Sequence, residues 1–162
     1  MSAAAGRRPI RSKTLATWIA AVGGGFGLHY FYLRGWRGWA GWLHPLPTIA
    51  GLVGAWRMDT YGQDDQLAWV LLPLLGLSLS AAFLAAIVLG LTPDAKWARL
   101  YGRRQGQPEV APEALDRDER TGWAPILSVI LSLVVGATIL MGTIAFAGQR
   151  YYEYQALQQP AE

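Results

Sequence analysis

The chain has 162 residues, of which 52% are hydrophobic and only 15% are charged. Because a soluble domain has about 25% charged residues, this composition indicates a membrane protein. Cysteine is absent, which excludes disulfides, thiolate metal sites and cysteine nucleophiles. The net charge of +3 does not indicate a nucleic-acid partner, because the basic residues flank apolar segments and do not line one polar face.

Four apolar segments approach the roughly 20 residues that a helix needs to cross a bilayer. In chain order they are 15–33, 39–56, 68–91 and 123–147. The last two contain no charged residue, whereas four glycines and His29 interrupt the first. We therefore expect an all-α membrane protein with four transmembrane helices in two hairpins, the first of which has a glycine-rich break.

The polar segments divide the chain further. We expect a basic N-terminal tail (1–13), a two-helix module (14–61), a second transmembrane hairpin (68–147) and a C-terminal tail (148–162). A cleaved signal peptide is the less favoured interpretation of the start, since the apolar segment resumes after the glycines. Tryptophan and tyrosine lie near the segment ends, as expected for side chains that prefer the headgroup level.

The second hairpin contains a long polar loop (93–122) with a basic first half. Trp97, Leu100 and Tyr101 follow a helical spacing beside these cations, which is typical of a helix lying in the membrane interface. The cations are candidates for contacts with anionic headgroups: Lys96, Arg99, Arg103 and Arg104.

The first module carries a family resemblance. Residues 24–33 read Gly-Gly-Phe-Gly-Leu-His-Tyr-Phe-Tyr-Leu, after a basic start at 11–13 and before an aspartate at the end of the next segment. In these features residues 11–61 resemble the TM2 domain, a two-helix membrane module of many bacterial proteins. The matching positions that we single out are Gly24, Gly25, Phe26, Gly27, His29, Phe31, Tyr32 and Asp59.

The resemblance implies a membrane module with no catalytic role. Together with the short basic tail, it indicates the inner (cytoplasmic) membrane of a bacterium. Two positions depart from the family pattern, because Tyr30 replaces a basic residue after the histidine and Arg34 replaces a glycine after the leucine. Any function of that basic residue is therefore not expected here.

His29 is the leading candidate for a functional polar residue, since ionisable groups at membrane depth are costly and often functional. Capping of the glycine-rich loop is the favoured interpretation, and proton or metal chemistry is the alternative. The only other histidine, His44, lies in a different segment beside Pro45, so we assign no metal site and no cofactor. The glycines lack the Gly-Lys-Ser/Thr context of a phosphate loop.

Two stripes of small residues recur at intervals of four. They are typical of close helix packing in lipid, within one chain as the default or between two chains as the alternative. The residues are Ala82, Ala86 and Gly90 in the third segment and Ser128, Ser132 and Gly136 in the fourth.

The positive-inside rule does not decide the orientation of four spans, because six cations would lie on the side of the N-terminus and eight on the other. If segment 15–33 is re-entrant and leaves three spans, twelve of the chain's 14 cations share one side, opposite Arg57 and Arg150. The family resemblance favours four spans, which is the arrangement that we predict.

No nucleophile with a base, carboxylate pair or nucleotide loop is visible in the sequence. We expect a non-enzymatic membrane protein that contacts lipids and acts by helix packing with itself or another membrane protein. The alternatives are a small transporter or channel component, and a regulatory protein that binds lipid headgroups.

Overall fold

The computed structural model describes residues 11–97, 100–101 and 123–158. Throughout these ranges the ordered elements are helices and none is a strand, which confirms the all-α prediction for this part of the chain. The elements, in chain order, are α1 (Lys13–Gly23), a 3-10 turn (Gly24–Phe26), α2 (Leu28–Arg34), α3 (Trp39–Leu43), α4 (Pro45–Tyr61), α5 (Gln66–Leu91), α6 (Asp94–Trp97) and α7 (Trp123–Gln158).

Two helices, α5 and α7, are long and apolar enough to span a membrane, with a mean hydropathy of 2.4 in the most apolar part of each. The 26 residues of α5 extend over about 39 Å, which exceeds the hydrocarbon thickness of a bilayer. Helix α7 continues well beyond residue 147, where the sequence predicted a tail. Side-chain bonds one turn apart support this extension, from Gln149 to Glu153 and from Gln155 to Tyr151.

Helix α5 lies at the centre of the molecule, and α1, α4 and α7 all pack against it. On α4, a Cβ added to Gly54 would lie 2.7 Å from the Cβ of Leu71. On α7, a Cβ added to Gly136 would lie 2.7 Å from the Cβ of Phe83. Glycine therefore allows both neighbouring helices to approach α5 closely, as small residues do in lipid-embedded bundles.

Both stripes of small residues lie within these contacts. Ala82, Ala86 and Gly90 are buried on α5, and the small residues of α7 are buried as well. A Cβ on Gly90 would lie 3.3 Å from the Thr17 side chain of α1 and would also clash with Val129 of α7. The small residues of both stripes thus lie at contacts between helices of the same chain.

The first apolar segment is not one continuous helix. Helix α1 ends at Gly23, the 3-10 turn follows, and Gly27 then adopts a left-handed conformation with φ of 71°. Helix α2 returns along α1, so that Leu33 packs with Ala16 and Trp97, and the Arg11 guanidinium donates to the Tyr32 carbonyl. The glycine-rich break predicted within segment 15–33 is present, but the chain reverses there. The segment therefore forms two short antiparallel helices instead of one span, and we call them the glycine hairpin (residues 13–34).

Both ends of the glycine hairpin lie at the same end of α5, which we call the basic end. There Lys13 forms an ion pair of 2.9 Å with Asp94, just beyond the last residue of α5. At the opposite end, Arg57 forms an ion pair of 2.8 Å with Asp65, and the Arg150 guanidinium lies 5.1 Å from the Trp69 ring centre. The glycine hairpin thus covers only the part of α5 nearest the basic end.

Helices α3 and α4 connect the two ends. Their 5 and 17 residues are joined by His44, whose φ of −62° and ψ of −35° are helical, so the pair follows a nearly continuous path of about 34 Å. Pro45 begins α4, where its missing N–H and fixed φ are compatible with a first turn.

Candidate functional site: the glycine hairpin

The tip of the glycine hairpin is held close to α5 and α3 by glycines. A Cβ on Gly24 would lie 2.6 Å from the Cβ of Ala82, and a Cβ on Gly27 would lie 2.9 Å from the Gly41 carbonyl oxygen. Gly27 also has the left-handed backbone that other residues rarely adopt. The glycine-rich break therefore permits both a reversal of the chain and a close approach to its neighbours.

Two buried hydroxyls link the backbone of this tip to α4 and α5. Thr48 of α4 donates its hydroxyl hydrogen to the Gly25 carbonyl and is hydrogen-bonded to the Ser78 hydroxyl of α5. Because a threonine hydroxyl has one hydrogen, Ser78 donates to Thr48 in this chain of bonds. The carbonyl of Gly25, in the 3-10 turn, is thus satisfied by a hydrogen bond inside the protein.

The tip also brings the two histidines together. The ring centres of His29 and His44 are 5.8 Å apart, with nearly perpendicular planes at 87°. Tyr30 completes the cluster, with its ring centre 4.2 Å from that of His29 and 5.6 Å from that of His44. His29 is only 3% exposed, whereas His44 and Tyr30 are partly buried, so the cluster of two imidazoles and a phenol is buried on the side of His29.

Each imidazole has a ring nitrogen that is buried and has no hydrogen-bond partner, Nδ1 of His29 and Nε2 of His44. Sequence reasoning assigned the histidines to separate helices and missed their proximity. The close approach of Gly27 to Gly41 brings α2 beside α3. No periodic pattern in the sequence predicts that contact.

The other motif residues of the hairpin lie near the basic end or on its surface. The Phe31 ring centre is 5.4 Å from that of Trp36 and 5.2 Å from that of Trp42. The Tyr32 ring lies beneath the Arg11 guanidinium, 5.7 Å from its centre. Phe26 is 47% exposed at the tip.

Asp59 does not belong to this cluster. It lies near the end of α4, at the opposite end of the molecule, and its side chain is exposed. The structure therefore brings together seven of the eight singled-out motif positions in the hairpin and separates the eighth from them.

The proposed headgroup residues are only partly described. Lys96 is exposed beside the basic end, whereas Arg99, Arg103 and Arg104 lie outside the described residues. Trp97 differs from the expected interfacial side chain, because it is 2% exposed and its Nε1 donates to the Arg11 carbonyl over 2.9 Å. Its indole anchors the start of the glycine hairpin to α6.

The opposite end has a defined electrostatic contact outside the apolar core. Arg57 donates two hydrogen bonds to Asp65, of 2.8 and 3.1 Å, which lower the pKa of the Asp65 carboxyl below its ordinary value of 3.8. Asp65 also caps α5 by accepting from the Leu67 N–H over 3.3 Å. One side chain thus joins α4 to the first turn of α5.

No protein-family model matches the chain, and searches of curated proteins and of solved structures return no match to it.

Proposed function

We propose that the chain is an integral membrane protein with three crossing segments, α3–α4, α5 and α7, and that the glycine hairpin is a re-entrant element. The observation that carries this proposal is the contact of Arg11 with the Tyr32 carbonyl, since it joins the start and the end of the hairpin at one end of α5. Non-helical backbone at membrane depth is tolerated where protein buries it, and Gly24 and Gly25 are buried.

The distribution of charge supports the same topology. With three crossings, twelve of the 14 cations belong to segments on the side of the basic end, and only Arg57 and Arg150 belong to the other side. Cytoplasmic segments carry an excess of lysine and arginine, so the basic end faces the cytoplasm in this proposal.

Single cysteines test the topology directly, because the native chain has none. Ser12→Cys and Arg37→Cys are expected to react with a membrane-impermeant maleimide from one side only, and Gln63→Cys from the other side only. Leu84→Cys, on an apolar surface of α5, is the control and should stay unlabelled. Labelling of Ser12→Cys and Arg37→Cys from opposite sides would establish four spans.

For its biological role, we propose a non-enzymatic protein that acts by helix packing with itself or with another membrane protein, surrounded by lipid. The TM2-like motif supports this role, because seven of its positions lie in one hairpin that packs against α3 and α5 and is hydrogen-bonded to Thr48 of α4. Membership of that family, and location in a bacterial inner membrane, are parts of the proposal that rest on the motif and the basic tail.

Cross-linking tests the packing role. Leu133, Val134 and Met141 are large exposed apolar side chains of α7, available to a neighbour in the membrane. A photoreactive residue at position 134 is expected to trap a second copy or a partner protein, whereas one at exposed Gln63, in the polar turn, should not. Trapping of lipid alone at both positions would contradict the role, as would a turnover activity that His29→Ala abolishes.

A small transporter or channel component is the second candidate. The observation that favours it is the presence of ionisable and hydroxyl groups at the tip of a broken helix, a combination found in transport proteins. Ion conductance or uptake by proteoliposomes of the purified chain, lost in His29→Gln, would support this candidate over the first.

Binding of anionic headgroups remains the third candidate, supported by exposed Lys96 beside the basic end. The test compares the thermal stability of the chain in phosphatidylglycerol and phosphatidylcholine nanodiscs. A stabilisation by phosphatidylglycerol that Lys96→Gln reduces would support it.

A further inference from the structure

We propose that His29 and His44 bind one Cu(I) ion between their rings. The starting observation is that a buried nitrogen of each ring has no hydrogen-bond partner. Buried polar atoms in folded proteins nearly always have a partner, so two such atoms on neighbouring rings point to a ligand shared by both. This inference goes beyond the proposed packing role and does not depend on it.

The spacing of the rings suits a shared metal ion. Bonds from a metal to an imidazole nitrogen are about 2.0–2.1 Å and that nitrogen lies about 1.1 Å from the ring centre, so the centres of two imidazoles on one ion lie at most about 6.4 Å apart. The observed separation of 5.8 Å lies within that limit. It therefore corresponds to an open, bent arrangement in which the angle between nitrogen, ion and nitrogen is roughly 130°.

The hairpin tip packs directly against His44. A Cβ added to Gly27 would lie only 3.0 Å from the His44 Cβ, so the tip restricts the space available to this side chain. Nε2 of the His44 ring is the nitrogen that has no partner and is available to the ion.

The chemistry of the cluster selects among metals. Within the described ranges, no group of three or more histidine or carboxylate side chains could hold a metal ion. Zn(II) prefers four ligands, and a divalent charge in an apolar site without a carboxylate is strongly disfavoured. Cu(I) has a single charge, needs as few as two nitrogen ligands and binds imidazole.

The position of the cluster in the fold agrees with such a site. Imidazole is neutral when it binds a metal, and the hairpin and its neighbours remove His29 almost entirely from solvent, since only 3% of it is exposed. Reversal of the chain at Gly27 fixes the distance between the rings, so the site exists only when the glycine hairpin is formed.

Anaerobic titration of the purified full-length chain with Cu(I), in ascorbate and against a chromophoric chelator, tests the site. The wild type is expected to bind one equivalent, and His29→Gln and His44→Gln should each lower the affinity by at least about tenfold. Tyr30→Phe changes the same cluster without removing a nitrogen and should bind like the wild type.

X-ray absorption of the copper-loaded wild type gives a second measurement that does not depend on the folding of any variant. Two imidazole ligands on a two-coordinate ion are expected. The proposal is overturned if the wild type binds no stoichiometric Cu(I), if both histidine variants bind as tightly as the wild type, or if the ion has four ligands. Tighter binding of Zn(II) at these residues would also overturn it, and a water between the rings would then satisfy both nitrogens.

Discussion

At the scale of single residues, Gly27 is the position on which the hairpin most depends. It combines a φ of 71° with a distance of only 2.9 Å from an added Cβ to the Gly41 carbonyl oxygen. Any other residue would experience backbone strain and a clash with rigid backbone at once. The reversal of the chain, the approach of α2 to α3 and the histidine pair all follow from this one residue.

Gly27→Ala is therefore expected to destabilise the protein by about 2–4 kcal/mol, the left-handed backbone and the clash each contributing about 1–2 kcal/mol. The free energy of unfolding in mixed micelles measures the effect. Gly142→Ala is the matched control, because Gly142 is helical and a Cβ added to it would have no neighbour within 4 Å. Equal stabilities of the two variants would show that the turn does not need glycine.

Thr48 supplies a second prediction at this scale. Thr48→Val removes the hydrogen bond to the Gly25 carbonyl and leaves Ser78 without its acceptor, which should cost about 1–3 kcal/mol of unfolding free energy. The same change at Thr138, an exposed residue that bonds to Val134 within its own helix over 2.8 Å, is expected to stay within about 0.5 kcal/mol.

The double variant Thr48→Val/Ser78→Ala completes that experiment. Because the two hydroxyls belong to one chain of hydrogen bonds, the loss in the double variant should be smaller than the sum of the two single losses. Strict additivity would mean that the hydroxyls stabilise the hairpin independently.

At the scale of the elements, Asp65 couples α4 to α5. The contact with Arg57 lowers the pKa of the Asp65 carboxyl, so the folded state prefers the ionised form. Its contribution to stability is complete above the ordinary value of 3.8 and is lost as the pH falls through the lower value of the folded state. Unfolding midpoints of the wild type should therefore fall on acidification below about pH 4.

Asp65→Asn is expected to flatten this part of the pH profile, since an asparagine can still cap the helix but does not titrate. The exposed neighbour Asp64→Asn serves as the control and should keep the wild-type profile. An unchanged profile in Asp65→Asn would assign the acid sensitivity to another group.

The elements also show what the sequence could predict. The apolar runs 68–91 and 123–147 predicted α5 and α7, because a long stretch without charge has few alternatives to a helix. The extension of α7 to Gln158 was missed, since polar side chains there pair along the helix and give no apolar signal.

The first segment was predicted as one span with a glycine-rich break, whereas the structure has two short helices that reverse at that break. Composition could not separate a helix that contains glycines from two helices that reverse at glycines, because the decision rests on the left-handed Gly27 and its packing against Gly41. The proximity of the two histidines could not be predicted from the sequence for the same reason. Trp97 was misplaced because a helical spacing does not tell whether an indole faces lipid or the interior of the protein.

At the scale of the whole molecule, the number of crossings is odd in the proposed topology, which separates the two ends of the chain. A green fluorescent reporter joined before Arg11 should fold on the cytoplasmic side, and a reporter that works only outside the cytoplasm should be active after Gln158. The exchanged reporters are the control and should both be inactive. Activity of one type of reporter at both positions would require an even number of crossings.

The short reach of the glycine hairpin has a consequence for the shape of the molecule. Near the basic end, a cross-section cuts both arms of the hairpin as well as the three long segments. Near the opposite end, the only described elements that the same section cuts are the three long segments. In a bilayer the protein would therefore take up more area in one leaflet than in the other. Such a wedge-shaped protein favours curved membrane over flat membrane.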